Sequence, residues 1–225
     1  MKIVSYNIHH CSQEKIDALL AMGADVYILP EIHSSAMVAL PGEYTLFRFS
    51  TPAESTKGLG VICNKEYGFS VPEWFSETHK YVLPLCCGDL LLLAMWPTIT
   101  ETNRNMSYPQ IALEAIRYYS QYFSGKRVVL SGDFNCFVGQ KGESYKRGTL
   151  LQIVEYLSQY NIYSLYHRQN GEEFGKDSGT TYHWLFKDEQ RFFLDYTFTN
   201  IKDVEYKLLE WDCRFSDHHA QIMEI

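Results

Sequence analysis

The sequence predicts a mixed α/β domain in which two sheets pack together and helices cover their outer faces. Three observations predict it. Apolar segments of strand length far outnumber amphipathic segments of helix length. Aromatic residues reach 15%, with 17 Tyr and 13 Phe, and such rings fit a pleated, half-buried surface. The two halves share an order, strands, then a helix, then strands, and two packed sheets with outer helices bury that many strands. The 225 residues are enough for a large core, and no linker-like stretch divides them, so 1–225 is read as a single domain.

The elements follow in order. Residues 2–8 read as a strand. A helix over 13–22 has Ser12 as N-cap, Gly23 as its stop, and Ile16, Leu19 and Leu20 as its apolar stripe. A buried strand over Asp25–Leu29 ends at Pro30-Glu31, which makes a crossover unit with the first strand. Tyr44–Phe49 and Leu59–Asn64 read as partners across the loop Ser50–Gly58, followed by strands at Tyr67–Trp74, Lys80–Cys86 and Asp89–Trp96. A helix over Tyr108–Phe123 and a strand over Arg127–Leu130 come next. After a helix over Thr149–Tyr160, strands are expected at Ile162–Tyr166, Thr180–Leu185, Phe192–Thr199, Val204–Trp211 and His219–Ile225. Glu172–Gly179 is polar and Gly-containing and reads as a flexible loop.

Polar words stand where these strands stop. They are Ser5-Tyr6-Asn7, Leu29-Pro30-Glu31, Ser131-Gly132-Asp133-Phe134-Asn135, Leu194-Asp195-Tyr196 and Ser216-Asp217-His218. Asn7 alone reads as a turn residue and Glu31 alone as the first solvated residue after a strand. In an extended segment Asp133 and Asn135 face one side while Phe134 turns into the core; an Asx turn is the plainer alternative. Asp195 lies inside an apolar run, where a bare carboxylate is costly unless paired. A histidine beside an acid, His218 beside Asp217, suits acid–base chemistry or phosphate contact. His218 and His219 should face opposite ways, as should His9 and His10. His183 and Trp184 line a pocket or pack in a strand. Lys141, Lys146 and Arg147 meet phosphates or form a solvated loop. Carboxylates with a histidine, and no nucleophilic Ser or Cys in a recognisable setting, point to metal-assisted attack of water on a phosphate ester.

The net charge of −7 argues against a passive duplex-binding module, which would carry a basic footprint. Cys11, Cys63, Cys86, Cys87, Cys136 and Cys213 show no CxxC spacing, so they read as reduced, mostly core residues of a cytoplasmic protein. The absence of an HExxH or a Cys/His ligand spacing argues against zinc. No apolar run is long enough to span a membrane, no signal segment precedes the first strand, and no obligate protein partner is evident.

The words Ser-Tyr-Asn-Ile-His-His, Leu-Pro-Glu, Gly-Asp-Phe-Asn, Leu-Asp-Tyr and Ser-Asp-His, in that order and across nearly the whole chain, resemble the endonuclease/exonuclease/phosphatase superfamily. The resemblance implies a four-layer αββα sandwich of the DNase I type with Mg2+ or Mn2+ chemistry at one edge. Glu31 would be the principal metal ligand, Asn7 would lie beside it, and Asp217 would support the metal or the histidine. Asp133 and Asn135 would position or activate water, Asp195 would orient the site, and His218 would contact the scissile phosphate. Trp96 stands where many members carry His or Asn, Tyr108 is a weak counterpart of a phosphate-contacting Tyr, and both join His183 and Trp184 as candidate substrate contacts. The activity implied is metal-dependent phosphodiester hydrolysis, with DNA the favoured substrate. A small or lipid-linked phosphate ester is the alternative substrate, and a non-catalytic binding module on the same scaffold is the third reading.

Overall fold

The backbone alternates short strands and helices, and their registers assemble two sheets. The structure, a computed structural model, describes residues 1–33, 38–49, 57–79, 81–141 and 144–225, the side chain of residue 33 excepted. The elements are β1 (Lys2–Ser5), α1 (Gln13–Leu20), β2 (Val26–His33), β3 (Tyr44–Phe49), β4 (Lys57–Asn64), β5 (Val82–Cys87), β6 (Leu90–Met95), α2 (Tyr108–Tyr119) and β7 (Arg127–Asp133). They continue with α3 (Leu150–Ser158), β8 (Tyr163–Ser164), α4 (Leu165–Asn170), β9 (Tyr182–His183), β10 (Arg191–Phe192), β11 (Asp195–Thr199), β12 (Glu205–Leu208) and β13 (Gln221–Glu224).

The first sheet runs β12-β13-β1-β2-β4-β3 and the second β5-β6-β7-β11-β8, with β10-β9 as a separate small pair. β1 and β2 are parallel neighbours joined through α1, as are β6 and β7 through α2. Ser12 caps α1 by accepting the Lys15 N–H at 3.3 Å, and Gly23 takes φ 62° to end it. Side chains alternate across each strand, so Ile3, Val26, Ile28 and Val61 of the first sheet meet Leu92, Ala94 and Val129 of the second in one core. The opposite parity of the first sheet (Val4, Tyr27, Leu29 and Ile62) packs on Ile16 and Leu19 of α1. Helices α2 and α3 pack Ile116, Tyr119, Ile153 and Leu157 into the core with the second sheet. The layer order is therefore helix, sheet, sheet, helix.

Several expected boundaries differ. The strand expected to stop at Pro30-Glu31 continues to His33 through a bulge, discussed below. Residues 67–74 form no strand; only Ser70 bridges Cys86, and Trp74 instead stacks on Tyr122 at 4.0 Å. Ile162–Tyr166 gives a two-residue strand and then α4, because Leu165, Tyr166 and His167 bury by turning rather than by alternating. The strand expected at Thr180–Leu185 shortens to β9, and β10 is split from β11. Glu172–Gly179 is packed: Phe174 stacks on His167 at 3.6 Å, Asp177 meets His167 Nε2 at 2.6 Å, and the Ser178 N–H donates to Glu172 at 3.0 Å. Residues 50–56 of the expected loop and Lys80 of an expected strand lie outside the described residues. No disulfide joins the cysteines, and no described helix is long and apolar enough to cross a membrane.

Candidate active site

Two central strands bring the site together. β7 and β11 pair antiparallel with Asp195 directly opposite Asp133, so two carboxylates face one another at the same end of the second sheet. Like charges in that register repel, and both are almost fully buried. The repulsion is offset by donors. Asn7 Nδ2 donates to Asp133 Oδ2 at 3.0 Å, and the Asn135 N–H donates to Asp133 Oδ1 at 2.8 Å. His218 Nδ1 lies 2.8 Å from Asp195 Oδ2. Burial, then the charge of Asp195, pushes the Asp133 carboxyl up to about 7, and His218 only partly counters them. Burial alone would lower His218; the charge and hydrogen bond of Asp195, with Asp133 and Asp217 behind it, outweigh burial and lift the imidazole to about 9. His218 is therefore an imidazolium at neutral pH, and its Nε2, 3.9 Å from Asp217 Oδ1, is beyond hydrogen-bond range of that acid.

Glu31 reaches the same place by a different device. In the pairing of β2 with β4, Pro30 faces Leu59 and Ile32 faces Gly58, so Glu31 is an extra residue with no partner. Its φ of 64° turns its carboxylate out of the sheet and into the cleft, where the Lys57 ammonium pairs with it. The bulge also reverses parity: Ile32 packs with Tyr27 and Leu29 on the α1 side, where an unbroken strand would send it to the core between the sheets.

A cleft of about 520 Å³ opens over these groups. Glu31, Asp133, Asn135, Asp217 and His218 line it, with Tyr108 and Trp184 on its walls. Asn7 and Asp195 stand behind the surface, bonded to Asp133 and His218. Asn135 keeps Phe134 in the core, as the alternation implied, but through a turn at φ 53° rather than an extended chain; its Nδ2 donates to Pro97 O at 3.1 Å. Two candidate contacts fall elsewhere. Trp96 is buried against Tyr81 with ring centroids 5.9 Å apart, because it continues the apolar run of β6. His183 is buried against Trp211 at 3.6 Å, with Nε2 2.9 Å from Nε2 of His219.

The cleft also holds residues that sequence reasoning did not assign. Lys57 pairs with Glu31, and His9 Nδ1 sits 3.2 Å from Asp217 Oδ1. Tyr182 packs on His218 at 4.6 Å; burial and then the Asp217 charge raise its hydroxyl, which stays protonated. Phe186 and Leu185 form an exposed rim. Positive φ is a shared signature: of seven non-glycine residues with it among the described residues, His9, Glu31, Asn135, Leu185 and Phe186 line this cleft. Such conformations cost energy and concentrate where a site is held against local preference.

The donor set suits a hard divalent cation. Carboxylate oxygens dominate, and Asp133, Asp195 and His218 place ligand atoms within 4.8 Å of one another. The Asp195–His218 hydrogen bond already commits one oxygen and one nitrogen of that trio. The acids on the open side, Glu31 and Asp217, remain suited to the ion.

No protein-family model matches the chain. No curated protein matches it either. Solved structures do. AP endonuclease LMAP from Leishmania major superposes with a TM-score of 0.73 at 12% identity, covering 99% of this chain and 86% of that one. The endonuclease domain of TRAS1, a telomere-specific non-LTR retrotransposon, gives 0.65 at 14% identity, covering 99% and 96%. Humanized D. rerio TDP2 gives 0.66 at 14%, covering 99% and 97%. The layers, the sheet order and these likenesses together show that the chain has the DNase I-like fold.

Proposed function

We propose that the cleft hydrolyses phosphodiester bonds, with DNA as the favoured substrate and Mg2+ or Mn2+ as the cofactor. The observation that carries this reading is the convergence of Asp133, the Asp195–His218 pair and Glu31 in one cleft. The neighbours' fold adds support, since the solved structures include an AP endonuclease and a retrotransposon endonuclease. Glu31 and Asp217 would hold the ion, with Asn7 behind them anchoring Asp133, and the ion would polarise the phosphoryl oxygens and offset the charge that develops on them.

The chain's own groups supply the proton chemistry. Asp133, its proton affinity raised by burial and by the charge of Asp195, accepts a proton from the attacking water. Asn7 and the Asn135 N–H fix that carboxylate in place. His218, tied through Nδ1 to Asp195, directs Nε2–H at a phosphoryl oxygen and stabilises the transition state as a preorganised cation. Tyr182 and Phe186 wall the cleft and limit water.

The exposed apolar rim, with Trp184 at 50% and Leu185 at 64%, favours a second reading, a lipid-linked or other small phosphodiester. A parallel hydrolysis panel separates the two: plasmid, abasic duplex, single-stranded DNA, RNA, a phosphoinositide and an aryl phosphodiester, each with metal and with chelator. DNA cleavage that needs the metal and disappears in Asp133→Ala and His218→Ala supports the first reading. Turnover confined to the phosphoinositide or aryl ester moves the protein to the second. Chelator-resistant cleavage overturns the metal assignment.

A further inference from the structure

The chain is acidic overall, yet residues 141–148 carry Lys141, Lys146 and Arg147 against one acid, Glu143. The described part of this stretch is anchored. Residues 145–147 form one tight turn, and Ser144 and Gly148 bridge at its base. Gly148, at φ 81°, lies so near the first turn of α2 that a Cβ would sit 2.9 Å from the Gln110 nitrogen. The Ser107 hydroxyl donates to the Arg147 carbonyl. These contacts hold Lys146 and Arg147 in a fixed place rather than on a loose loop.

That place adjoins the cleft. A second groove, of about 170 Å³, is lined by Lys141 and Arg147. Tyr108 and Gln140 line both the groove and the cleft, so the two share a wall. On the same turn Tyr145 is 81% exposed, the most exposed of the large apolar and aromatic side chains described. A tyrosine ring gains much by burial, and here the fold leaves it in water on the turn that carries Lys146 and Arg147.

We propose that this groove and Tyr145 form a lip that holds the single strand of DNA flanking the scissile bond. Lys141 and Arg147 meet its phosphates and Tyr145 stacks on an unpaired base. Cations that follow a backbone together with an aromatic platform are the two components of single-strand binding. Bases inside a duplex already stack on each other, so the exposed ring selects an unpaired one. The proposal rests on the cleft being a phosphodiesterase, and it adds which form of DNA the site prefers.

The test is fluorescence anisotropy with a labelled 12-nucleotide single strand and a blunt duplex of the same sequence. Asp133→Asn is the background and Mg2+ is present, so that the DNA stays intact. Tyr145→Ala is expected to weaken single-strand binding about 5-fold or more, within the range for loss of one stacked base, and to affect the duplex less. Arg147→Ala and Lys141→Ala should each flatten the dependence of log K on log salt by about 0.7. Tyr163→Ala, also exposed but at the far end of β11, should bind as the background does. Unchanged single-strand affinity and salt slope in the lip variants would overturn the lip while leaving the cleft assignment intact. A wild type that neither binds nor cleaves DNA, or cleaves only the aryl ester, overturns both the lip and the DNA reading.

Discussion

Replacing Asp195 by Asn tests the site at its buried charge pair. His218 is lifted from 6.5 to about 9, mainly because Asp195 outweighs burial. At 1.36 kcal/mol per tenfold, that net shift favours the imidazolium by on the order of 3 kcal/mol, Asp133 and Asp217 contributing behind Asp195. The signs can be followed group by group. His218 is raised when folded, so its stabilisation is complete below about pH 6.5 and is lost as pH rises through about 9. Asp133 is also raised, from 3.8 to about 7, so protonation favours the folded state and that contribution fades as pH rises from about 4 through 7. Both trends run the same way, and the metal-free protein should lose stability from pH 5 to pH 9. In Asp195→Asn the imidazole loses its partner and burial pulls it below its ordinary value, while Asp133 loses a repelling neighbour and falls. The variant should be less stable at pH 6 by roughly 1–3 kcal/mol, the pairing loss exceeding the relief at Asp133. Its stability should depend less on pH, and its turnover should drop about 100-fold or more. Denaturant titrations at pH 5, 7 and 9 and an NMR titration of the His218 ring protons check this. A His218 that still titrates near 9 in the variant, or wild-type stability that rises with pH, would refute the reasoning.

Other perturbations follow from particular contacts. Gly132→Ala should fail to fold or lose more than about 3 kcal/mol, because at φ 144° a Cβ would sit 2.0 Å from the Met95 carbonyl oxygen; thermal melting reads it. Leu185→Gly should raise stability by about 1 kcal/mol by relieving φ 54° at an exposed position. The same change should raise KM by removing part of the rim. His167→Ala removes the partner of both Ser164 and Asp177 and the stack on Phe174. It should cost about 2 kcal/mol, and limited proteolysis should then cut within residues 172–179 faster than in the wild type.

Legibility followed the kind of signal each residue carries. Asp133 and Asp195 could be read because each ends or interrupts an apolar run, and a strand is a local pattern. Strand, helix, strand pointed to a crossover unit and left β1 and β2 either parallel neighbours or separated by another strand; they pair directly and in parallel. The bulge at Glu31 could not be read, because its cause is the register with β4, a residue count across two distant segments. Lys57 is silent for the same reason: nothing beside it in sequence announces Glu31. Trp96 was misplaced because the end of an apolar run looks alike whether the last ring turns outward or, as here, in against Tyr81. β9 and β10 are too short to show a period. The rim at Trp184–Phe186 rests on two left-handed residues that no propensity favours.

The extra residue in β2 also bears on how the chain can change over time. Tyr27 and Leu29 before the bulge and Ile32 after it occupy one layer only because Glu31 shifts the phase of the strand. Substituting Glu31 removes an acid and leaves that phase alone. Deleting it would place Ile32 directly after Pro30, still opposite Gly58 and on the face of Tyr27 and Leu29, so the strand would straighten with its packing kept in phase. Either change removes the acid and leaves the sheet in register. A lineage could abandon the chemistry by a point change and keep the fold, and the bulge would remain as a record of the lost site.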